Sequence, residues 1–308
     1  MNRMSRILVR LLLVALSCAA GSLAAGQAVV TALMSSDAAA YRDVLDGFKQ
    51  ALADRDVALL LYERPAASET AASLRDHLAE KKPGLVLAVG TRASQLAHAQ
   101  VRDVPVVFCM VFEADSFTAP NATGVTLAIP AAARVAQLRE ALPGLRTIGV
   151  VYSDHCRSAQ EELATACAKA GLALVPQRAQ SASELDHALQ QMAGRVQCFV
   201  MLPDPAIYTP QSVEHVLAQG LDQSFAVVGL SAAYTRAGAL LSFDCNYPDL
   251  GHQVAELSLR ILGGEKPSAI APAPPQRVDL SLNLSVARRL GIDLPPAARA
   301  RAVKTFGW

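Results

Sequence analysis

Short apolar runs alternate with amphipathic stretches along nearly the whole chain after residue 27. Val29–Met34 is an almost continuous apolar run of strand length, and Ala38–Ala53 places its large apolar side chains on one helical face. Strands that are apolar at successive positions are buried on both faces, which is typical of parallel sheets covered by helices. The pattern therefore predicts an α/β protein.

The predicted elements form two series separated by a break near Asn121–Pro130, where proline and glycine interrupt the rhythm. The first series has predicted strands at Val29–Met34, Val57–Tyr62, Leu85–Val89 and Val104–Val111, and helices at Ala38–Ala53, Ser68–Lys81 and Arg92–Val101. The second has strands at Thr147–Tyr152, Leu172–Pro176, Val196–Leu202, Ala226–Gly229, Leu240–Phe243 and Arg277–Leu282, and helices at Ala131–Leu142, His155–Ala170, Ser183–Ala193, Ser212–Gly220, Leu250–Leu262 and Ser285–Leu290.

Two successive series of this kind predict two Rossmann-like lobes with parallel sheets. The alternative is one larger α/β sheet, but the break and the usual size of a domain favour two lobes. Ligands of such sheets bind beyond the carboxyl ends of the strands. We therefore expect a ligand in the cleft between the lobes.

The first residues have the pattern of a secretory signal peptide. Three arginines flank the apolar run Ile7–Leu16, and small residues follow at Ser22, Ala24 and Ala25. The run is much shorter than the roughly 20 residues that span a bilayer, so a membrane anchor helix is disfavoured. The pattern predicts a signal peptide over residues 1–25 and export to the periplasm.

Cys18 leaves two forms of the mature protein open. The segment Ala15–Cys18 is an imperfect lipoprotein box, and processing there would tether the chain to a membrane through a lipidated cysteine. Cleavage after Ala24 or Ala25 would release a soluble protein. The imperfect box favours the soluble form, so lipidation at Cys18 is the one membrane contact that the sequence suggests.

The amino-acid composition argues against several classes of function. Hydrophobic residues make up 52% of the chain and charged residues 18%, which is ample for buried cores. The formal net charge is +1 and no run of basic residues occurs, so nucleic acid is not an expected partner. The five cysteines after the signal have apolar neighbours and wide spacing, which favours buried free thiols, although a bridge between Cys156 and Cys167 stays open.

Polar residues follow the predicted strands of the first lobe. The turn Gly90–Ser94 joins a strand to a helix, and its exposed backbone N–H groups and the Thr91 hydroxyl suit a carboxylate or other anion. An ordinary helix cap is the alternative at Thr91. The candidate ligand contacts of this lobe are Ser35, Ser36, Thr91, Arg92, Ser94 and Glu113.

Asp204 is the main candidate of the second lobe. It lies between two prolines just after a predicted strand, where its carboxylate could pair with a ligand ammonium group. The alternative is a role in forming the turn. The further candidates at strand exits in this lobe are Tyr152, Ser153 and Ser231.

Catalysis has weak support in the sequence. Gly229–Ala233 misses the G-x-S-x-G nucleophile elbow at its last position, and His252 is the one histidine after Ser231. The histidines are scattered without metal-ligand spacing, and no phosphate-binding G-x-x-x-x-G-K-[ST] loop occurs. We expect no enzyme activity, no metal and no cofactor; a hydrolase that uses Ser231 is the least favoured alternative.

Ten short motifs in order along the mature chain resemble the ABC transporter substrate-binding proteins, in the group that includes the periplasmic components of tryptophan and tyrosine importers. They are Asp46–Leu52, Val89–Ser94, Pro105–Phe108, Ala122–Thr126, Leu142–Tyr152, Leu202–Asp204, Ala237–Leu240, Tyr247–Gly251, Ile261–Pro267 and Asn283–Ile292. The chain departs from the family's aromatic-amino-acid binders after the fourth strand, where Val111–Asp115 replaces an Asp-Pro pair.

The resemblance implies a fold like that of type I periplasmic binding proteins, with two lobes joined by a three-crossover hinge. Lobe 1 would comprise residues 28–125 and 246–275, and lobe 2 residues 126–245 and 276–308. The implied function is capture of a small molecule, such as an amino acid or a related organic solute, for delivery to an inner-membrane ABC permease. A ligand-sensing subunit for a membrane receptor or kinase is the alternative.

Overall fold

The computed structural model describes residues 27–62 and 71–307, so the predicted signal peptide and Cys18 lie outside the described residues. The chain divides into two compact units. Unit 1 comprises Met1–Gly124 and Val254–Pro272, and unit 2 comprises Val125–Gln253 and Ala273–Trp308. The chain therefore passes from one unit to the other three times.

Unit 1 is built on a five-stranded sheet. Its strands are β1 (Ala28–Met34), β2 (Val57–Tyr62), β3 (Leu85–Val89), β4 (Val106–Val111) and β5 (Ala122–Thr126), and its helices are Ala39–Ala51, Ala71–Lys81 and Thr91–Gln100. The strand order is β2-β1-β3-β4-β5, and β1 pairs in parallel with both β2 and β3, as β3 does with β4. The carboxyl ends of β1, β3 and β4 thus share one edge.

Unit 2 is built on a seven-stranded sheet. Its strands are β6 (Thr147–Tyr152), β7 (Ala173–Arg178), β8 (Cys198–Val200), β9 (Ala226–Gly229), β10 (Leu241–Cys245), β11 (Val278–Asn283) and β12 (Ala302–Phe306). The order is β12-β11-β10-β9-β8-β6-β7, and the pair β10–β11 is antiparallel. The strands from β10 to β7 are parallel, so their carboxyl ends also share an edge.

The helices of unit 2 cover both faces of its sheet. They are Ala131–Ala141, Arg157–Lys169, Leu185–Met192, Pro210–Asp222, Ala232–Ala237, the start of Tyr247–Leu262, Leu284–Arg289 and Pro296–Arg301. Neighbouring strand residues belong to different apolar clusters: Val150 and Val200 pack in one, and Val151 and Phe199 in the other. This double coverage is why the strands are apolar at successive positions.

The predicted α/β class is confirmed, and the differences are local. Predicted β10 ended at Phe243, whereas the strand continues to Cys245 because Asp244 pairs with β11. Among the described residues, the elements that the sequence pattern missed include the helices Ala232–Ala237 and Pro296–Arg301 and the strand Ala302–Phe306. The two missed helices are six residues long and have almost no large apolar side chains, so periodicity did not reveal them. The equally short helix Leu284–Arg289 contains Leu284 and Val286 and was predicted.

Gly124 lies where the chain first leaves unit 1. A Cβ atom at this position would collide with the carbonyl oxygen and ring of Phe108 on β4. Only glycine therefore allows β5 to run this close to β4. At the other two passages Gln253, 8% exposed, donates from its amide to Pro274 O at 2.9 Å and accepts from Gln276 N at 3.1 Å.

The five described cysteines are all buried and unbridged, which confirms free thiols. Burial raises the pKa of Cys109 to about 12, so its thiol stays protonated at neutral pH. Within residues 27–62 and 71–307, no helix has both the length and the apolar character needed to cross a membrane.

Candidate functional site

Ser35 organises the carboxyl edge of unit 1. It follows β1, and its backbone N donates to Val89 O at the end of β3 at 2.9 Å. Its Oγ accepts from the backbone N of Ala93, in the first turn of helix Thr91–Gln100, at 2.8 Å. Ser35 therefore caps the helix that follows the neighbouring strand β3. Its hydroxyl stabilises this helix and also lies at the carboxyl edge of the sheet.

Gly90 makes that arrangement possible. Its φ of +93° is in the region that side chains rarely adopt, and a Cβ there would lie 2.5 Å from the Tyr41 ring and 2.7 Å from Ser35 Oγ. Glycine is thus required both by the turn and by the close approach of Ser35. It lets helix Thr91–Gln100 start directly at the end of β3.

The first turn of this helix presents donors. Among the described residues, the backbone N–H groups of Thr91 and Arg92 donate to no protein acceptor, and both side chains are exposed. Such N–H groups and the positive end of the helix dipole favour a negative group. By contrast, Ser94 is 1% exposed, and its Oγ donates to Gly90 O at 2.9 Å. The structure thus places the Ser94 hydroxyl inside the turn, bonded to the protein backbone.

Two other predicted residues of unit 1 are exposed. Ser36 Oγ accepts from Ala38 N at 3.1 Å, just before the first helix, and Glu113 has no ion pair within the described residues. The adjacent Phe112 is 50% exposed, and Met110 before it has a φ of +59°. Strained non-glycine residues concentrate near functional sites. Sequence reasoning missed Phe112 as a residue of this edge.

At the carboxyl edge of unit 2, Ser153 and Asp204 form one buried pair. Each is 1% exposed. Asp204 Oδ2 accepts from Ser153 N at 2.7 Å, and Oδ1 accepts from Ser153 Oγ at 3.0 Å and from Ala206 N at 3.1 Å. The carboxylate joins the end of β6 to the turn after β8. The structure therefore brings these two predicted residues together, with Asp204 in the turn-forming role.

Tyr208 packs beside this pair. Its hydroxyl is buried and has no hydrogen-bond partner within the described residues. Burial raises the pKa of Tyr208, and the charge of Asp204 raises it further. A buried hydroxyl without a partner loses its hydration, so a polar group of a bound molecule or a water would stabilise it.

The remaining predicted residues of unit 2 lie at the same edge. Tyr152 is the last residue of β6, Ser231 precedes helix Ala232–Ala237, and both are half-buried. The Ser231 side chain does not cap that helix. In the described part of the chain no hydrogen bond joins Ser231 to a histidine, so the geometry shows no Ser-His pair.

Asp244 was missed by sequence reasoning, because the strand was predicted to end one residue earlier. It is half-buried on β10, and its Oδ1 accepts from the Tyr247 hydroxyl at 3.0 Å. Burial raises the pKa of Asp244 against the opposing effects of Tyr247 and of the backbone amides of Ala232 and Cys245. Asp244 is half-buried, whereas Asp204 is 1% exposed.

No group of three or more His, Cys, Asp or Glu side chains suited to a metal occurs in residues 27–62 and 71–307. The donors described above are hydroxyls, backbone amides, an arginine and carboxylates. Groups of this kind bind small polar organic molecules by hydrogen bonds and charge.

Comparison with known families decides the affiliation of the chain. The family model for the ABC transporter substrate binding protein matches residues 28–306. The chain belongs to this family. It is a substrate-binding family, acting outside the cytoplasm, whose members bind small ligands and work with a membrane transporter. No curated protein sequence matches the chain.

Solved structures show the same fold. A conserved domain protein from Vibrio cholerae is 24% identical with a TM-score of 0.65, and covers 91% of this chain and 99% of its own. An open, ligand-free substrate-binding protein with adhesive properties from Clostridium difficile is 18% identical with a TM-score of 0.75, covering 91% and 100%. An ABC domain from Streptococcus pneumonia in complex with L-Trp is 20% identical with a TM-score of 0.63, again covering 91% and 100%. The chain thus has the type I periplasmic binding protein fold that the motifs implied.

Proposed function

We propose that this substrate-binding protein captures a small organic solute between its two units in the periplasm and delivers it to an inner-membrane ABC importer. The observation that carries the proposal is the family match over residues 28–306. The polar groups at the carboxyl edges of both parallel sheets support it, because open α/β sheets bind ligands at that edge.

Closure around the solute would be the mechanism. A solute that contacts both units would stabilise the closed conformation, in which both sets of contacts are made. It can shift the equilibrium between the open and closed conformations only by the difference between its affinities for the two. The permease would then recognise the closed form. The three passages of the chain between the units are the segments that would bend.

The chemistry of the two edges indicates a solute with separated polar ends. In unit 1 the free N–H groups of Thr91 and Arg92 and the Arg92 guanidinium favour a carboxylate. In unit 2 carboxylate and hydroxyl oxygens favour a group that donates hydrogen bonds. An α-amino acid fits both descriptions, and a relative of the same fold has been solved in complex with L-Trp.

We propose ligand contacts at Ser35, Thr91 and Arg92 in unit 1 and at Tyr152 and Ser231 in unit 2. Ser153 and Asp204 support the unit 2 edge from below through their buried hydrogen bonds. Ser94 has the same supporting role in unit 1. Ser36 and Glu113 remain proposed contacts at the rim, because both are exposed.

The test is thermal unfolding of the mature protein with a panel of the common amino acids, pentoses and hexoses, dicarboxylates and purines. A solute present at 100 times its dissociation constant stabilises the folded protein by about 2.7 kcal/mol, and the melting temperature should rise roughly 5–10 °C. We expect at least one solute to do so, and calorimetry then gives its affinity. If no solute raises the melting temperature, the proposal is wrong.

The transporter and the location need separate tests. An adjacent permease gene and ATPase gene would support import, whereas a lone adjacent sensor kinase would support sensing. Fractionation of cells and mass spectrometry of the mature N-terminus would distinguish a soluble protein cut after Ala24 or Ala25 from one lipidated at Cys18.

A further inference from the structure

Asp244 is placed at the edge where a solute is proposed to bind. In the parallel pair of β9 and β10, Ser242 lies opposite Gly229, the last residue of β9. Asp244 is two residues further along β10 and therefore extends beyond the end of β9, level with the turn at Ser231. Its side chain is half-buried, so one part of it still reaches solvent.

In the described part of the chain, the carboxylate of Asp244 has no cation at ion-pair distance. Tyr247 donates to Oδ1, and the charge of Lys304 on β12 reaches Asp244 weakly, since it is the last of the effects that lower its pKa. A carboxylate that is partly desolvated without a cation destabilises the folded protein.

The residue directly opposite provides a contrast. Asp279 on β11 is the register partner of Asp244. Its Oδ2 accepts from the Asn246 amide at 3.0 Å, and its Oδ1 is 3.6 Å from Arg277 Nε. One acid of this pair therefore has an arginine within 4 Å, whereas the other has no lysine or arginine at that distance among the described residues.

Asp204 cannot replace Asp244 in this role. Its carboxylate is 1% exposed and accepts three hydrogen bonds from Ser153 and Ala206. A ligand ammonium would have to break those bonds to reach it. Asp244 accepts one hydrogen bond from a side chain and is faced by the backbone amides of Ala232 and Cys245. Because it is half-buried and a carboxylate has about four acceptor sites, it keeps capacity for a further donor.

The aromatic hydroxyl of Tyr247 lies next to Asp244. Tyr247 contacts it directly, and Tyr234 is on the short helix whose first amide, that of Ala232, faces Asp244. Tyrosine rings and a carboxylate attract a cation together, by the ring quadrupole and by charge.

We infer that Asp244 selects solutes that carry a protonated amine and holds that amine at the edge of unit 2. The inference rests on the proposed function and names the chemical class of its substrate. The amine would donate to the open carboxylate oxygen and supply the positive charge that Asp244 lacks.

The experiment compares the protein with its D244N and D279N variants against matched solutes. The probes are L-tryptophan, L-tyrosine and L-leucine, each with its deaminated acid (indole-3-propionate, 3-(4-hydroxyphenyl)propionate and 4-methylpentanoate), together with the amines tryptamine and putrescine. D279N is the matched control, because it removes one carboxylate charge at the same register position. Circular dichroism and the melting temperature without solute check that the variants fold.

We expect an amine-bearing solute to bind the unchanged protein and its deaminated partner to bind much more weakly. D244N should weaken binding of the amine roughly 10- to 100-fold, which is the usual loss for a charge-assisted contact. D279N removes a neighbouring charge without removing the contact, so it should weaken binding far less than D244N. Equal binding of amine and deaminated acid, or an unchanged affinity in D244N, would overturn the inference while the proposed function stands. If a sugar, dicarboxylate or purine binds but no amine does, the inference is also wrong; if nothing binds, the proposed function fails with it.

Discussion

The two sheets end in edges of opposite chemistry, although both are built from the same kind of buried parallel strand. The edge of unit 1 offers hydrogen-bond donors: the N–H groups of Thr91 and Arg92 and the Arg92 guanidinium have no acceptor or ion pair within residues 27–62 and 71–307. The edge of unit 2 carries carboxylates: that of Asp204 is fully used by protein donors, and that of Asp244 is half-buried and can accept from a ligand. In both sheets the carboxyl edge is formed by the last residues of parallel strands and by the turns after them. The two edges therefore differ in chemistry because different residues follow their strands.

The edges also differ in how their polar groups are used internally. In unit 2 the buried carboxylate of Asp204 accepts hydrogen bonds from Ser153 and so connects the ends of two strands. In unit 1 the Ser35 hydroxyl caps a neighbouring helix. The first is a charged and fully enclosed contact, and the second is neutral and half-buried. The comparison therefore predicts that internal support at the edge of unit 2 contributes more to stability than that at unit 1.

Replacing Asp204 should have the largest effect. Asp204→Ala leaves the Ser153 amide and hydroxyl buried without their acceptor, and we expect the free energy of unfolding to fall by about 3 kcal/mol. Urea unfolding followed by circular dichroism measures it. Asp154→Ala is the control, because that carboxylate is exposed and paired with Arg157 and Arg178, so its loss should change stability far less. Full stability of Asp204→Ala with lost solute binding would instead make Asp204 a ligand contact.

Asp204 and Asp244 show what the sequence could and could not reveal. The apolar runs predicted the α/β class and most strands, because burial on both faces leaves a direct mark on the sequence. The order of the strands placed Asp204 correctly at a carboxyl edge. Whether its oxygens face a ligand or Ser153 depends on the distance between two loops 51 residues apart, and no local pattern encodes that distance.

Asp244 was missed for a related reason. A charged residue after Leu241–Phe243 is the usual sign that a buried strand has ended, so the predicted strand excluded it. The strand continues because β11 pairs with it in antiparallel register from a segment distant in sequence. Tertiary pairing of this kind overrides local preference, and functional residues are often found where it does.

Ser35 tests the weaker support at the edge of unit 1. Ser35→Ala removes the acceptor of the Ala93 amide, and the loss of such a helix cap should lower the free energy of unfolding by about 1 kcal/mol. The neighbouring Ser36→Ala is the matched control, because its bond to Ala38 is local and exposed. A loss from Ser35→Ala as large as that from Asp204→Ala would contradict the ranking of the two edges.

Arg92 tests the donor character of unit 1. For an α-amino acid that stabilises the protein, Arg92→Gln should weaken binding roughly two- to five-fold, since an exposed ion pair contributes about 0.5–1 kcal/mol. Arg102→Gln, an exposed arginine beyond the other end of the same helix, should leave the affinity unchanged. Calorimetry with the decarboxylated amine gives the sharper result: its affinity should not depend on Arg92. If it does, the carboxylate is not held at this edge.

The pH dependence of stability tests whether Asp244 carries a partly desolvated negative charge at the edge of unit 2. Of the changes predicted here, we expect this one to be the smallest. Because burial raises the pKa of Asp244 in the folded protein, the folded chain binds more protons than the unfolded chain between the ordinary aspartate pKa and the raised one. Stability contributed by Asp244 is therefore full at low pH and is lost as pH rises through that window.

Asp244→Asn removes the titrating carboxyl group and with it this loss of stability. Without solute, the variant should therefore have a higher melting temperature than the unchanged protein at pH values above the raised pKa of Asp244. At pH values below the ordinary aspartate pKa, its melting temperature should be no higher. The groups that face Asp244 are the Tyr247 hydroxyl, Lys304 and Asp279 on the neighbouring strands, and the Ala232 and Cys245 amides. Tyr247→Phe removes a donor that lowers the pKa of Asp244, and should therefore move the window to higher pH. Melting curves from pH 3 to pH 8 measure both shifts (roughly the range in which carboxyl groups titrate in proteins). A difference between Asp244→Asn and the unchanged protein that does not vary with pH would show that Asp244 carries no desolvated charge.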